Sequence, residues 1–306
     1  LYTEKMDVDY LFFIRIQVLI REGMNFKQNY SEYLLYKSQQ QNIRLMGVTG
    51  DLVTALQRER GLSSIYVGSG KEGDKIQEER TKVDTALDRW LKDAAKAAYL
   101  TNERDQVPQK LASARALVDT KSFTTFYDVF DVYTDLIQTL LAVSNKAVNQ
   151  PTIGGIGKVM SSMGILMQAQ ESIAATRGLL GSILSGQHRI TDKQRLLDLI
   201  ETYEGFENNL NSPAIIFSPE TKKAVTDLKN SDAYSTIEES LFDVFVKNMS
   251  GNWGSGYTIS YEVLWDKGTG LVNNLNETVK YELGKLIDRS VQMDKKYSSS
   301  FFVVIV

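Results

Sequence analysis

Cysteine is absent from this chain of 306 residues, proline occurs four times, and histidine occurs once. The lack of cysteine rules out disulfides and fits a reducing cytosol as well as a periplasm. His188, the single histidine, has no second histidine and no cysteine to join it in a metal site, so we expect no bound metal. The scarcity of proline, together with abundant Leu, Ala, Gln, Glu and Lys, favours a mostly helical protein.

The charges are nearly balanced, with 35 Lys and Arg residues against 38 Asp and Glu residues and a formal net charge of -3. No stretch combines basic residues with interleaved aromatic ones, so we expect no nucleic-acid partner. The sequence also shows no nucleophile beside a base and no glycine-rich phosphate loop. We therefore expect neither a cofactor nor catalysis.

Apolar residues recur at helical spacing along most of the chain, whereas no segment alternates convincingly with the period of a strand. Glycines after residue 67, the Pro151 region and the loop from Gly251 to Gly256 interrupt the helical pattern. The predicted helices cover about residues 25–67, 74–99, 103–119, 123–148, 156–185, 192–210, 219–229, 232–248 and 258–298. This pattern predicts an all-α fold of up-and-down helical bundles.

Both ends of the chain carry apolar stretches. Residues 10–20 are apolar but too short to span a bilayer, and residues 301–306 read Phe-Phe-Val-Val-Ile-Val, as at the start of a transmembrane helix. The alternative is a short apolar tail that packs on the body of the protein. We divide the chain into a membrane-proximal segment (1–25), a helical domain (26–298) and the start of a possible transmembrane helix (299–306). Because its first residue is leucine, we expect the chain to be a fragment.

Two arginines, Arg60 and Arg177, lie in the middle of apolar helical stripes, and each precedes a Gly-Leu pair. At about 100° per residue, the side chains nearest these arginines are apolar or small. They are Val53, Leu56, Ser64 and Val67 around the first, and Ile173, Gly181 and Leu184 around the second. A buried guanidinium is costly unless an anion meets it. Each arginine is therefore expected to have an anionic partner.

That partner has two possible origins. Internal ion pairs would use buried carboxylates, for which the candidates are Glu59, Asp84, Glu171 and Glu204. Alternatively, guanidinium forks on two helices grip a small trigonal anion such as nitrate or nitrite, and the small residues beside each arginine leave room for it. Arg58 lies about 160° around the helix from Arg60, so we expect it to face solvent or another subunit rather than the same pocket.

The stretch Leu52–Ser63 reads Leu-Val-Thr-Ala-Leu-Gln-Arg-Glu-Arg-Gly-Leu-Ser and closely resembles the signature of the NIT domain, the nitrate- and nitrite-sensing module of bacterial receptors. Residues 81–87, 171–184 and 265–275 are similar to later landmarks of that family in the same order. The resemblance covers roughly residues 40–290. It implies two up-and-down four-helix bundles that share long helices, acting as the sensor of a chemoreceptor, histidine kinase, cyclase or transcription antiterminator.

The resemblance also implies where the ligand binds. Arg60 and Arg177 match arginines of the family, Arg58 matches a third, and Lys267 stands near the position of a further basic residue on the last helix. We therefore predict a domain that binds nitrate or nitrite through these four residues.

We expect this domain to be the periplasmic or extracellular part of a receptor in the bacterial inner membrane, of chemoreceptor or histidine kinase type. Because symmetric dimers are the commonest oligomers, we also expect a homodimer. The alternative function is a helical protein-interaction or structural module whose arginines pair with carboxylates.

Overall fold

The structure is a computed structural model that describes residues 2–305 apart from residues 217, 252, 253 and 255, with side chains described mainly between residues 23 and 293. The described residues form nine α-helices and no strand, which confirms the all-α prediction. The helices are α1 (Tyr2–Ser69), α2 (Ile76–Ala94), α3 (Thr101–Asp119), α4 (Phe126–Val148), α5 (Ile156–Ser185), α6 (Lys193–Leu210), α7 (Pro219–Lys229), α8 (Asp232–Ser250) and α9 (Tyr261–Ile305).

The helix bounds follow the predicted ones closely wherever a strong local signal marks the end. Helices α5 and α7 have the predicted bounds, and the Ser218 side chain caps α7 by accepting from the Thr221 main-chain N–H. Helix α2 ends earlier than predicted because Ala97 adopts an extended conformation, after which Ala98–Leu100 forms a short 3-10 turn. Helix α1 is longer than predicted, since it runs unbroken from Tyr2 through the apolar stretch at 10–20.

Contacts between helices divide the fold into two sets. Helix α1 packs against α2 and α4, with α3 on α4, while α5 packs against α6 and α9, with α8 on α9. Helix α1 also contacts α5 and α9, so these three long helices form the centre of the molecule. The division into two complete four-helix bundles stays a prediction.

Glycines allow α1, α5 and α9 to approach closely at one level. A Cβ atom built on Gly178 of α5 would lie 3.8 Å from the Cα atom of Gly61 on α1. A Cβ atom on Gly61 would lie 2.4 Å from Cη2 of Trp265 on α9, a distance that no side chain can tolerate without movement. The two Arg-Gly pairs therefore lie where the three helices converge.

Helices α1 and α9 run antiparallel along their length. The Tyr36 hydroxyl donates to Ser290 Oγ at 3.0 Å, and further along the pair Arg58 Nη2 donates to Asn273 Oδ1 at 2.7 Å. The start of α1 and the end of α9 consequently lie at the same end of the molecule. Among the described residues, no helix carries an apolar stretch long enough to cross a membrane. The predicted membrane segments at 1–25 and 299–306 have side chains that fall largely or wholly outside the described residues.

Candidate functional site

Three consecutive residues of α1, Arg58, Glu59 and Arg60, point in three different directions, because neighbouring side chains on a helix are separated by about 100°. Arg58 donates to Asn273 of α9. Glu59 accepts hydrogen bonds from the first set of helices, and Arg60 faces α4 and α5. One short stretch of sequence therefore connects α1 to both sets of helices.

Arg60 is fully buried, and its guanidinium holds the carboxylate of Glu171 on α5. Nη1 donates to Oε1 at 2.5 Å and Nη2 donates to Oε2 at 3.3 Å, while Nη1 also donates to Thr134 Oγ1 at 2.9 Å. The Phe130 ring lies under the guanidinium, with 4.6 Å between Cζ and the ring centroid. Arg60 thus already has an anionic partner inside the protein.

Glu59 is fully buried and forms the centre of a second charged network. It accepts from Arg115 Nε at 2.8 Å and Nη2 at 2.9 Å, and from the Tyr133 hydroxyl at 2.7 Å. Arg80 Nε lies 3.7 Å from it, and Arg115 Nη1 also donates to Asp84 at 2.6 Å. Two of the carboxylates considered as partners for the central arginines are therefore neutralised within α1–α4.

Arg177 is fully buried like Arg60, but no carboxylate of the described residues pairs with it. Its Nη1 donates to Thr269 Oγ1 on α9 at 3.1 Å, and its Nη2 donates to the main-chain oxygen of Gln57 on α1 at 3.2 Å. Cζ lies 4.3 Å from the centroid of a Trp265 ring. The Nε–H group is buried and has no hydrogen-bond partner in the described part of the chain. These neutral contacts orient the guanidinium without neutralising it.

Burial is the main reason why the pKa of Arg177 is lowered from its ordinary value to about 9, and the positive charges of Arg60 and Arg58 lower it further. A depressed pKa on a base means that the protein around it disfavours the charged form. Glu171 acts in the opposite sense, but it is already held by Arg60. The centre of the molecule thus carries a positive charge that lacks a counter-ion.

Gln57 connects the two arginines. Its side-chain Nε2 donates to Glu171 Oε2 at 2.9 Å, while its main-chain oxygen accepts from Arg177. On the other side, a Cβ atom at Gly268 would lie 2.8 Å from Arg177 Cγ, so only glycine lets α9 pass over the aliphatic stem of this arginine. Arg60 and Arg177 are therefore neighbours with different partners, one on α5 and one on α9.

Arg58 is partly buried and faces open space on the α2 and α9 side of α1. It lines a cleft of about 260 Å³ together with Trp265 and Thr269, the two α9 residues that contact Arg177. A second cleft of about 470 Å³, which Arg58 also lines, continues between α1, α2 and α9. Arg58 does not share the surroundings of Arg60, as predicted, and it lies between solvent and the neighbourhood of Arg177.

Lys267 lies away from the arginines. Its ammonium forms an ion pair with Asp232 at the start of α8, with Nζ and Oδ2 2.6 Å apart, and its side chain is 41% exposed. The structure therefore brings Arg60, Arg177 and Arg58 into one region and leaves the fourth predicted ligand at the surface.

Several polar groups of this region were not singled out from the sequence. Gln57 lies inside the Leu52–Ser63 stretch, and Thr269 follows Trp265 by one helical turn, so both occur in stretches that carry the family resemblance. Arg115, which neutralises Glu59, lies in α3, where the sequence gives no signal beyond an amphipathic helix. Its partner depends on how α3 packs, and spacing along the chain does not reveal that.

The all-α fold and the buried cations define a helical protein with a positively charged centre between long helices. The family model described as nitrate and nitrite sensing (NIT) matches residues 51–283, which is most of the chain, so the protein belongs to the NIT family. Membership places it among nitrate- and nitrite-sensing domains. No curated protein matches the sequence.

A solved structure described as the NasR transcription antiterminator has a similar fold. The TM-score is 0.71 at 15% sequence identity, and the likeness covers 94% of this chain and 82% of the other. At this level of identity the comparison confirms the helical fold alone.

Proposed function

We propose that this chain is the ligand-sensing domain of a bacterial signalling protein and that it binds nitrate or nitrite at Arg177. The observation that carries the proposal is the fully buried guanidinium of Arg177, which has an unpaired Nε–H and no carboxylate partner among the described residues. Such a charge is costly to hold in the interior unless an anion accompanies it.

The chemistry of Arg177 favours a small planar oxyanion. A guanidinium presents its N–H groups in a flat fork that matches two oxygens of a trigonal anion. The ring of Trp265 lies against the guanidinium and the glycine backbone of α9 packs on its aliphatic stem, so neither side leaves room for a bulky ligand. The positive charges of Arg60 and Arg58 act on Arg177. The cleft beside Arg58 is lined by Trp265 and Thr269, the two α9 residues that contact Arg177, so we expect an anion to enter from that side.

The proposal is tested by titrating the protein with sodium nitrate and sodium nitrite in a calorimeter, with sodium chloride as the ionic-strength control. We expect saturable binding and a rise in the melting temperature, because a ligand that binds only the folded state stabilises it. Arg177→Ala should abolish both signals, whereas Lys267→Ala should leave them unchanged if the lysine has no part in binding. Absence of any response to millimolar nitrate or nitrite in the folded wild-type protein would refute the proposal.

We further propose that the domain lies outside the cytoplasm as part of a membrane-anchored receptor of chemoreceptor or histidine kinase type, and that it works as a homodimer. The antiparallel pairing of α1 and α9 supports the membrane anchoring, because the apolar stretch at 10–20 lies in the first part of α1 and residues 301–305 end α9, at the same end of the molecule. The family resemblance also includes transcription antiterminators, which would be a different setting. A flotation assay on a lysate of the natural host distinguishes the two settings. A membrane-anchored receptor floats with the membrane fraction, and a protein that is not attached to a membrane does not.

Signalling would follow from the contacts that Arg177 makes on two other helices. An anion that draws the guanidinium toward itself changes its hydrogen bonds to Thr269 on α9 and to Gln57 on α1. The response is a change in the position of α9 relative to α1. Its size is bounded by the difference between the affinities of the two states for the anion.

A second candidate function is a helical interaction module in which the arginines have only a structural role. The bidentate pair between Arg60 and Glu171 favours it, since this arginine needs no external ligand. The same argument fails for Arg177. A protein that folds stably and ignores both anions in the titration would support this second function.

A further inference from the structure

We propose that Glu171 determines which anion charge the site accepts. By neutralising Arg60, it leaves one net positive charge at the centre of the molecule. The site therefore binds monovalent oxyanions and rejects divalent ones such as sulfate. This inference rests on the proposed function. It concerns a carboxylate that binds no ligand itself and acts on selectivity through the buried charge.

The charges of the centre can be counted from the contacts. Arg60, Glu171 and Arg177 are 0%, 3% and 0% exposed, so water screens none of them effectively. Gln57 links the ion pair to Arg177, because its side chain donates to Glu171 and its main-chain oxygen accepts from Arg177. Two cations and one anion leave a net charge of one, which resides on the arginine without a carboxylate.

Two charged groups at the nearby clefts, Arg58 and Glu79, shift the pKa of Arg177 in opposite directions, so their effects on the centre oppose each other. Glu59 is neutralised by Arg115 and lies toward α3. Arg58 reaches Asn273 at the wall of the open clefts, and Glu79 pairs there with the half-exposed Lys82. Charges at such a surface are screened by water and salt, whereas a buried charge is not.

The buried net charge determines which anions can bind, because an anion must lose its hydration shell to enter the protein interior. A monovalent anion beside Arg177 makes the centre neutral. A divalent anion would leave one negative charge uncompensated in the interior, and an uncompensated buried charge is strongly unfavourable. The carboxylate of Glu171 therefore excludes divalent anions by occupying Arg60, the other fully buried guanidinium among the residues that the structure describes.

The first test needs no variant. Titration of the wild-type protein with nitrate, nitrite and sulfate at constant ionic strength should give binding of the monovalent ions and little or none of sulfate. Wild-type protein that binds sulfate as tightly as nitrate overturns the inference. Wild-type protein that binds none of the three refutes the proposed function instead, so the two failures are distinguishable.

The second test changes the charge without changing the shape. Glu171→Gln raises the net buried charge by one, and we expect the ratio of nitrate affinity to sulfate affinity to fall by about tenfold or more, since a divalent ion gains twice the attraction of a monovalent one. The control is Glu282→Gln, which neutralises another buried carboxylate that accepts from Ser218 and Thr221 on the α7 side of α9. This control should keep the wild-type ratio.

The third test restores the net buried charge of the wild-type protein and shows whether a change in selectivity arises from charge or from misfolding. The double variant Arg60→Gln with Glu171→Gln removes one charge of each sign, so the net charge returns to one and Arg177 is again the buried ion of this set without a charged partner. We expect it to recover the preference for nitrate, with folding checked by circular dichroism. A Glu171→Gln protein that keeps the wild-type ratio, or a folded double variant that prefers sulfate, overturns the inference.

Discussion

The two buried arginines should respond with opposite signs when each is replaced by methionine. Arg177→Met removes a charge that has no counter-ion, so we expect the anion-free protein to become slightly more stable. Arg60→Met leaves Glu171 buried without its cation, so we expect a large loss of stability. The two residues lie in similar apolar stripes, and only their partners differ.

The magnitudes follow from the structure. Burial lowers the pKa of Arg177 to about 9, which at about 1.4 kcal/mol per pKa unit puts the cost of holding the charge on the order of 5 kcal/mol. Arg177→Met loses the cation–π contact with Trp265, which is worth about 2 kcal/mol when it is desolvated. It also loses two hydrogen bonds at about 1 kcal/mol each. The net effect is a stabilisation of about 1 kcal/mol, whereas breaking the buried pair of Arg60 costs about 3–5 kcal/mol. The two variants should therefore differ by at least about 4 kcal/mol in the free energy of unfolding.

The measurement is urea denaturation of both variants in chloride and in saturating nitrate, with unfolding monitored by circular dichroism. Lys223→Met is the control, because it removes a cation from an exposed ion pair with Asp227, whose effect on stability is screened by water and salt. Nitrate should stabilise the wild-type and control proteins and have no effect on Arg177→Met. An Arg177→Met protein that loses 2 kcal/mol or more by this rough scale, or that still responds to nitrate, would refute the assignment of an unmet charge to this residue.

Three further outcomes are expected. Glu59→Ala should lower the free energy of unfolding by about 2 kcal/mol or more in urea titrations, because Arg115 and the Tyr133 hydroxyl lose a buried carboxylate while Arg115 keeps Asp84; a loss below about 1 kcal/mol would contradict the network. Gly61→Ala should weaken nitrate binding about tenfold or more, since its methyl group displaces the Trp265 indole, while Gly47→Ala, which meets no atom within 4 Å, should leave binding intact. The nitrate-induced rise in melting temperature should shrink as the pH passes about 9, where Arg177 loses its proton in the anion-free protein. Because its folded pKa lies below the unfolded value, the anion-free protein gains stability above that pH, and an unchanged nitrate effect at about pH 10.5 would contradict the reasoning.

Much of the fold could be predicted because local signals define helices. Helix α5 begins after the Gly154-Gly155 pair and ends before Gly186, and α7 begins with a capping serine and a proline, so their bounds follow from the sequence. The end of α2 could not be found in this way. It depends on the extended conformation of Ala97, a residue type with high helix propensity, and tertiary packing overrides that propensity.

The candidate site was predicted in part. Helical spacing identified Arg60 and Arg177 as buried, and it separated Arg58 from Arg60, because all three inferences need only the angle between residues on one helix. The position of Lys267 near α8 depends on how α9 lies between its neighbours, so spacing could not reveal it. Its part in binding stays a prediction that the lysine variant tests.

The sequence by itself determined that this protein is helical, that two arginines face its interior and that it resembles the NIT family, because helical period and a short signature are local properties of the chain. Only the tertiary structure decided which arginine is neutralised. Glu171 was one of four candidate carboxylates, and it lies 111 positions along the chain from the arginine that it pairs with. A buried charge is satisfied by whatever the fold brings within hydrogen-bond distance, and among the described residues the fold brings no carboxylate to Arg177.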